Sequence, residues 1–187
     1  MWPLITALCL WGIWFVSWIL AGTWTKRTVA RPVRGAERVY AIIAYAGVGL
    51  LFASVVYTPL FPRLLTLPEL AAWGVVGLAL AGFGICWWAR LHLGRNWSWE
   101  VTRKEDHRVV DTGPYRFVRH PIYTGLILAA LATALLIGKA PSFTAVALMV
   151  LGFWIKARLE ERFLMAELGA EAYGGYARRT GMLLPGL

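Results

Sequence analysis

The chain alternates between long apolar runs and short polar stretches. Four of the runs are close to the length of about 20 residues that an α-helix needs to cross a bilayer core of about 30 Å. They extend from about Trp2 to Trp24, Val39 to Leu60, Leu70 to Ala89 and Pro121 to Gly138. A helix on the surface of a soluble protein carries a polar face, which these runs lack. The pattern therefore predicts membrane helices.

A fifth apolar run, from Ser142 to Ile155, is too short to cross a bilayer by itself. We expect it to continue as one helix through the sequence KARLEERFLMAELG and to end at Gly169. In that continuation Ile155, Leu159, Phe163 and Ala166 form one apolar stripe at helical spacing. The predicted fold class is all-α: a polytopic helical membrane protein with about five transmembrane helices, whose cytoplasmic C-terminal helix and loop form the active site.

The basic residues are unevenly distributed along the chain. All but Arg63 and Lys139 of the 19 Lys and Arg lie in three polar stretches, 26–38, 90–119 and 156–179. Cytoplasmic loops of membrane proteins carry such an excess. We therefore predict an N-terminus outside and a cytoplasmic C-terminus in a bacterial-type inner membrane. The net charge of +9 orients the chain and favours contact with membrane lipids, and it does not indicate nucleic-acid binding.

Length and composition predict one domain. Residues 1–187 form a single integral membrane domain in this interpretation, with three transmembrane helices in 1–90 and a catalytic half in 91–187 that contains a helical hairpin and the cytoplasmic tail. The hydrophobic fraction of 59% agrees with that class. Cys9 and Cys86 lie in apolar runs and have no Cys or His at metal-ligand spacing. They are interpreted as small hydrophobic residues, so neither a disulfide nor a metal site is predicted.

The densest polar chemistry lies in residues 111–125, DTGPYRFVRHPIYTG, at the start of an apolar run. Its charged and aromatic residues are Tyr115, Arg116, Arg119, His120 and Tyr123. Groups of this kind are costly to place at the mouth of a membrane helix, so a functional site is the default hypothesis. The alternative, that the arginines only anchor the chain at the interface, ranks second for Arg116 and Arg119.

Two other polar stretches, 94–101 and 156–180, are predicted to reach the same face of the bilayer. Together the three stretches can form a pocket that opens to both cytosol and lipid. The last stretch contains Glu160 and Glu161. On spacing alone these two are better explained as a solvated helix face that pairs with Lys156 or with neighbouring arginines.

The order of several motifs reverses that interpretation. The sequence GPYRFVRHPIYTG, followed by EERFL, then LG, two tyrosines and a terminal LLP, resembles the isoprenylcysteine carboxyl methyltransferase and phospholipid methyltransferase superfamily of integral membrane methyltransferases. Upstream, LGRNWS resembles the loop that precedes the histidine–proline motif in that family. The resemblance covers about Leu91 to Pro185. It implies methyl transfer from S-adenosyl-L-methionine to a membrane-embedded lipophilic acceptor, either an isoprenylcysteine-like carboxylate or a lipid amine.

The resemblance also implies roles for single residues. It assigns His120, Pro121, Tyr123 and Gly125 to the wall of the cofactor site, and Gly113, Pro114 and Tyr115 to its opening. Glu160 and Glu161 match the paired glutamates of the family, on the cofactor side of the pocket. The family has an arginine four residues before this pair, where the present chain has Lys156. Lysine lacks the planar, bidentate guanidinium, so a role that requires arginine is not expected there.

The chemistry of the cofactor is consistent with these residues. Glu160 or Glu161 can accept hydrogen bonds from ribose or ammonium groups, and Arg116, Arg119 or His120 can hold a carboxylate. Tyrosine rings can contact the sulfonium cation. We predict the catalytic residues Arg116, Arg119 and Glu160, and the cofactor-binding residues Tyr115, His120, Pro121, Tyr123, Gly125, Glu161 and Tyr173. An amine acceptor would also require a base, for which His120 or a glutamate is the candidate.

Two other classes of protein compete with the methyltransferase hypothesis. A nicotinamide-dependent sterol or enone reductase of the membrane can carry a similar RHPxY stretch. A non-catalytic membrane scaffold or transporter subunit would bind no cofactor and would distribute its polar residues along a path through the bilayer. The sequence leaves open the acceptor atom, the arginine that contacts the acceptor and the oligomeric state. It also leaves open whether the fourth and fifth helices fully span the membrane.

Overall fold

A computed structural model describes residues 1–24, 28–30, 35–56, 61–94, 97, 103–104 and 110–186. The helices in these ranges are α1 (Trp2–Gly22), α2 (Gly35–Val56), α3 (Glu69–Leu93), α4 (Pro121–Ile137), α5 (Ala140–Leu168) and α6 (Ala170–Arg179). Four of them, α1, α2, α3 and α5, are long and apolar enough to cross a membrane, whereas α4 is shorter. The prediction of a polytopic helical membrane protein is confirmed.

A short antiparallel pair of strands joins two of the polar stretches. The first strand, β1 (Thr28–Ala30), follows α1, and the second, β2 (Arg103–Lys104), lies between α3 and α4. The pair brings the polar stretches after α1 and α3 to one end of the helix bundle. Most of the predicted 94–101 loop lies outside the described residues. Strands this short leave the all-α class unchanged.

The opposite end of the bundle is closed by a turn. The backbone N–H groups of Leu64 and Leu65 donate to the carbonyl of Gly138, over 2.7 and 3.1 Å. The backbones of Arg63 and Lys139 form an isolated antiparallel β-bridge. Gly138 adopts a positive φ of 68°, and a Cβ atom there would overlap the carbonyl of Leu65. Only glycine fits this position without strain. The turn between α4 and α5 is thereby held against the segment that precedes α3.

Glycines let two pairs of helices approach closely. A methyl group added at Gly82 of α3 would lie 2.5 Å from the carbonyl oxygen of Gly125 of α4, and one at Gly47 of α2 would lie 2.8 Å from that of Ala145 of α5. These are backbone-to-backbone contacts of the kind that small residues permit in membranes. The other glycines within α3 have open space around an added methyl group: Gly74, Gly77 and Gly84. Of the four glycines of α3, only Gly82 therefore marks its packed surface.

The fifth apolar run is part of one long helix, as predicted. With 29 residues, α5 is longer than a bilayer core requires, and all of its charged residues lie after Ile155. It ends at Gly169, whose φ of 88° stops the helix, and α6 follows directly.

The chain after α6 returns to the start of α4. Val118 and Gly181 form a parallel bridge, and the backbone N–H groups of Arg119 and His120 donate to the carbonyls of Gly181 and Met182, over 2.8 and 3.1 Å. These backbone bonds fix the residues before α4 between α5 and the C-terminal segment.

Arg90 closes the end of α1. Its side chain is only 1% exposed although it lies near the end of a membrane helix. The guanidinium donates to the carbonyls of Ala21 and Trp24, over 2.7 and 2.9 Å, and to that of Gly94, and it lies 4.6 Å from the ring centroid of Trp97. A cation at these last carbonyls stabilises the helix terminus. Arg90 thus joins α1 to the start of the polar stretch after α3.

Candidate active site

His120 lies between two carboxylates of α5. Its Nδ1 is 3.3 Å from Oε2 of Glu160, and its Nε2 is 3.2 Å from Oε1 of Glu161. The histidine is 8% exposed, and the two glutamate side chains are 20% and 12% exposed. Residues about 40 positions apart in the sequence therefore meet in one largely buried cluster, which we call the His120 cluster: Arg119, His120, Tyr123, Glu160 and Glu161.

Local geometry explains how one ring contacts two successive glutamates. Neighbouring residues of an α-helix point about 100° apart, so Glu160 and Glu161 can reach the two edges of a ring that approaches between them. Pro121 occupies the first position of α4, where its missing N–H costs nothing, and it is buried. His120 is thereby held at the mouth of α4, facing α5.

A stack of aromatic rings completes the Glu160 side of the cluster. The hydroxyl of Tyr123 donates to Oε2 of Glu160 over 2.8 Å. The ring of Tyr123 lies parallel to that of His120, with centroids 5.3 Å apart, and parallel to that of Phe153 on its other face, at 5.0 Å. The Nζ atom of Lys156 lies 5.3 Å from the centroid of Tyr123. This side of the cluster is therefore a rigid apolar wall that carries one carboxylate.

Arg119 connects the Glu161 side to α6. Its Nε donates to Oε1 of Glu161 over 2.6 Å, in a charge-assisted hydrogen bond. Its Nη1 donates to the carbonyl of Ala177 over 2.8 Å and to that of Thr180. Since the last carbonyls of a helix carry partial negative charge, the guanidinium also stabilises the end of α6. Arg119 therefore holds Glu161 and α6 in a fixed relation.

Three buried tyrosines lie next to the cluster. The hydroxyl of Tyr176 donates to the carbonyl of Tyr115 over 2.7 Å, and the rings of Tyr173 and Tyr176 meet edge to face at 5.9 Å. Burial raises the pKa of all three phenols, and the charge of Glu160 raises the pKa of Tyr115 further. These hydroxyls thus stay neutral at physiological pH and serve as hydrogen-bonding groups.

Two of the predicted site residues lie apart from the carboxylates. Arg116 is exposed in a 3₁₀ turn (Gly113–Arg116), and its guanidinium stacks 4.5 Å from the ring centroid of Phe117. Gly125 packs against α3, where an added methyl group would lie 2.7 Å from Sγ of Cys86. Packing against α3 accounts for a glycine at position 125. The cofactor role of Gly125 and the catalytic role of Arg116 both stay predictions.

Sequence reasoning missed Phe153 and did not include Tyr176 in the predicted site. Phe153 precedes Glu160 by seven residues, which is about two helical turns and places both on one face of α5. Tyr176 follows Tyr173 by three residues on α6 and therefore shares its face. Helical spacing counted from the predicted site residues would have found both.

The cluster favours a protonated His120. Burial alone would lower the pKa of His120, but its hydrogen bonds to Glu160 and Glu161 and their negative charges outweigh burial, so the net pKa is raised above the usual value. In the doubly protonated ring both nitrogens donate, one to each carboxylate. The ring is then an imidazolium clamp between two carboxylates.

We expect His120 to titrate above its ordinary pKa of about 6.5. Because the folded-state pKa is raised, protonation contributes stability that is fully present below about pH 6.5 and is lost as the pH rises through the folded-state pKa. NMR of selectively labelled histidine measures this pKa directly. The spectra of His92→Gln and His107→Gln identify the signals of the other two histidines, because each variant lacks one of them. Glu160→Gln and Glu161→Gln should each lower the pKa of His120. A His120 pKa below 6.5, or a pKa that neither substitution changes, would contradict the proposed contact of the protonated ring with both carboxylates.

Comparison with known proteins identifies the same part of the chain. Residues 75–166 match the model of the isoprenylcysteine carboxyl methyltransferase (ICMT) family. The matched range includes most of α3 and α5, all of α4 and every member of the His120 cluster. The resemblance to this superfamily that the motifs indicated is confirmed.

Several named relatives are similar over part of their length. The protein-S-isoprenylcysteine O-methyltransferase of Schizosaccharomyces pombe is 31% identical over 100 residues, which are 52% of this chain and 42% of the relative. The cobalt-zinc-cadmium resistance protein CzcN of Cupriavidus metallidurans is 30% identical over 124 residues, 64% of this chain and 51% of the relative. Methanethiol S-methyltransferase 1 of Bradyrhizobium diazoefficiens is 39% identical over 71 residues, which are 38% of this chain and 24% of the relative. The matches thus span about half of each relative or less.

Proposed function

Because residues 75–166 carry the signature of the ICMT family, we propose that this protein is an integral membrane enzyme that transfers a methyl group from S-adenosyl-L-methionine to a lipophilic acceptor. Relatives named as O-methyltransferases and an S-methyltransferase support transfer of a methyl group without fixing the acceptor atom. The observation that carries the proposal is the position of His120 between Glu160 and Glu161.

The His120 cluster leaves one oxygen of each glutamate for a ligand. Among the described residues, the hydrogen bonds and ion pairs of Glu160 use Oε2, and those of Glu161 use Oε1. A carboxylate has about four acceptor sites on its two oxygens. The remaining oxygens can therefore accept hydrogen bonds from the hydroxyl or ammonium groups of the cofactor.

The other groups of the cluster also suit this cofactor. When bound, S-adenosyl-L-methionine supplies an electrophilic methyl group on a sulfonium cation. The parallel rings of His120, Tyr123 and Phe153 form a rigid wall, and the neutral phenols of Tyr115 and Tyr173 offer hydrogen bonds and aromatic faces. Arg119 is engaged by Glu161 and the end of α6, so we assign it a positioning role.

Catalysis by these residues rests on alignment and on exclusion of water. Glu160, Glu161 and the rings of His120, Tyr123 and Phe153 would hold the cofactor in line with the acceptor. A lone pair of the acceptor would then bond to the methyl carbon as the carbon–sulfur bond breaks, with the electron pair of that bond left on sulfur. The positive charge of the sulfonium would be lost in this step. A rigid, largely buried site favours such a reaction because it aligns the reactants and excludes water. Both ring nitrogens of His120 face carboxylates, so the imidazole is not directed at an acceptor as a base. An amine acceptor would then need Glu160 or Glu161 as its base, whereas a carboxylate or thiolate acceptor needs none.

The location of the site fits a lipophilic acceptor. The His120 cluster lies at the second half of α5, where that helix carries all of its charged residues, and the basic polar stretches lie at the same end of the bundle. We propose that residues 1–187 act as one membrane domain, with the cluster and the C-terminus on the cytoplasmic side of a bacterial-type inner membrane. A cytosolic cofactor and a lipid-borne acceptor can then reach the same site.

We expect the purified protein to bind S-adenosylhomocysteine, the product form of the cofactor, with micromolar affinity. The expectation follows from the two carboxylate oxygens that make no hydrogen bond among the described residues, and from the buried rings beside them. Isothermal titration calorimetry in detergent measures this affinity. A separate titration with NADPH tests the alternative hypothesis of a reductase. Absence of heat and of thermal stabilisation at millimolar S-adenosylhomocysteine contradicts the proposal, and binding of NADPH alone favours the reductase.

A further inference from the structure

A groove lies on the side of α5 that faces away from the His120 cluster. It has a volume of about 440 Å³. Its lining residues on α5 are Trp154, Ile155, Arg158, Leu159 and Arg162. They recur at intervals of three and four positions, so they form one face of the helix. We call this surface the α5 groove.

The packing of α5 leaves the α5 groove on the outside of the bundle. Close contacts with α2 are made at Met149 and Gly152, and contacts with the His120 cluster are made through Phe153 and Glu160. At about 100° per residue, these positions lie on the side of α5 roughly opposite to Arg158 and Arg162. Trp154 is accordingly 43% exposed. The α5 groove therefore faces the lipid and the membrane interface.

The charge of the α5 groove is uncompensated within the described part of the chain. Arg158 and Arg162 are both exposed and lie one helical turn apart. Neither forms an ion pair with a described residue, because Glu160 and Glu161 between them are held by the His120 cluster. The guanidinium of Arg158 lies 5.4 Å from the ring centroid of Trp154. Two guanidinium groups at this spacing can hold one phosphate.

The order of residues along the α5 groove matches the order of groups in a phospholipid. Trp154 and Ile155 lie on the side of the membrane-spanning part of α5, and Arg162 lies nearer its exposed end. We propose that the α5 groove binds one anionic phospholipid, with its phosphate between Arg158 and Arg162 and an acyl chain along Trp154 and Ile155. Tryptophan and arginine at an interface suit such a ligand. The inference rests on this surface alone and is independent of the proposed methyl transfer.

Binding of phosphatidylglycerol to the full-length protein in detergent tests the proposal, with native mass spectrometry as the measurement. We expect phosphatidylglycerol to bind more tightly than phosphatidylcholine. The double change Arg158→Gln/Arg162→Gln should weaken phosphatidylglycerol binding about 25-fold, at about fivefold for each arginine near an anionic surface. Arg158→Lys/Arg162→Lys retains the charge and should keep most of the preference.

A matched control separates a built site from a general charge effect. Arg178→Gln/Arg179→Gln removes the same charge from exposed arginines of α6 at the same end of the bundle, and should change binding little. Equal losses in the two double variants overturn the proposal in favour of diffuse attraction. Glycerophosphoglycerol, which lacks acyl chains, and inorganic phosphate should each bind far more weakly than phosphatidylglycerol. If either of these two ligands bound as tightly as phosphatidylglycerol, the α5 groove would recognise the phosphate alone. That result would also overturn the proposal of a phospholipid site.

Discussion

Replacing His120 by alanine should weaken the binding of S-adenosylhomocysteine by about 10- to 100-fold. Without the imidazole, Glu160 and Glu161 lose the hydrogen-bonding ring between them, and their carboxylates repel each other until one moves or takes up a proton. One charge-assisted hydrogen bond to the ligand is then lost, which is worth about 1.5–3 kcal/mol. Calorimetry on the purified variant measures the change, and methyl transfer should fall in parallel.

His92 offers a control for the same chemical change. It is exposed on α3, and its Nδ1 lies 2.9 Å from the carbonyl of Trp88. The ring of His92 packs against Gly113 at the predicted opening of the site but contacts neither glutamate. His92→Ala should therefore lower the affinity far less than His120→Ala. Unchanged binding in His120→Ala, together with unchanged binding in Glu161→Ala, would place the cofactor site elsewhere in the molecule.

Replacing Gly125 by alanine should destabilise the folded protein by about 1–3 kcal/mol or more. The new methyl group would overlap the backbone oxygen of Gly82 and would lie 2.7 Å from Sγ of Cys86. The backbone atom cannot rotate away, so α3 and α4 must separate. Equilibrium unfolding in mixed detergent measures the loss, and adding Cys86→Ala should restore little stability because the overlap with Gly82 remains.

Gly84 provides the matched control on α3. An added methyl group there meets no heavy atom within 4 Å, so Gly84→Ala should stabilise the helix slightly, by up to about 1 kcal/mol. This pair of variants also tests the assignment of Gly125 to the cofactor wall. Gly125→Ala protein that is as stable as the wild type but does not bind S-adenosylhomocysteine would support that assignment and contradict the packing explanation.

The helical part of the fold could be predicted because it depends on local composition. A bilayer core imposes a length of about 20 apolar residues, and that length can be counted along the chain. The continuation of α5 to Gly169 followed from the same counting, since a short apolar run needs additional turns. The paired strands β1 and β2 and the turn around Gly138 depend on contacts between distant segments, which no local pattern contains.

The candidate site could be predicted only in part. Motif order was sufficient to connect His120 with Glu160 and Glu161, although their spacing alone favoured a solvated helix face. Arg116 and Arg119 looked alike in the sequence, but only Arg119 enters the cluster, because the backbone bond from its N–H to Gly181 turns this segment towards α5 and α6. Which of two nearby arginines is buried depends on packing.

By itself, the sequence determined the number and approximate length of the apolar segments, the face of the bundle that carries the basic residues, and the family to which its central motifs are similar. These properties follow from residue type and order. Only the tertiary structure decided that His120 lies between two carboxylates, that Arg119 holds Glu161 and α6 together, and that Arg158 and Arg162 face away from this cluster. The reason is physical: the environment of a charged side chain is set by the elements that pack around it, and those elements come from distant parts of the chain.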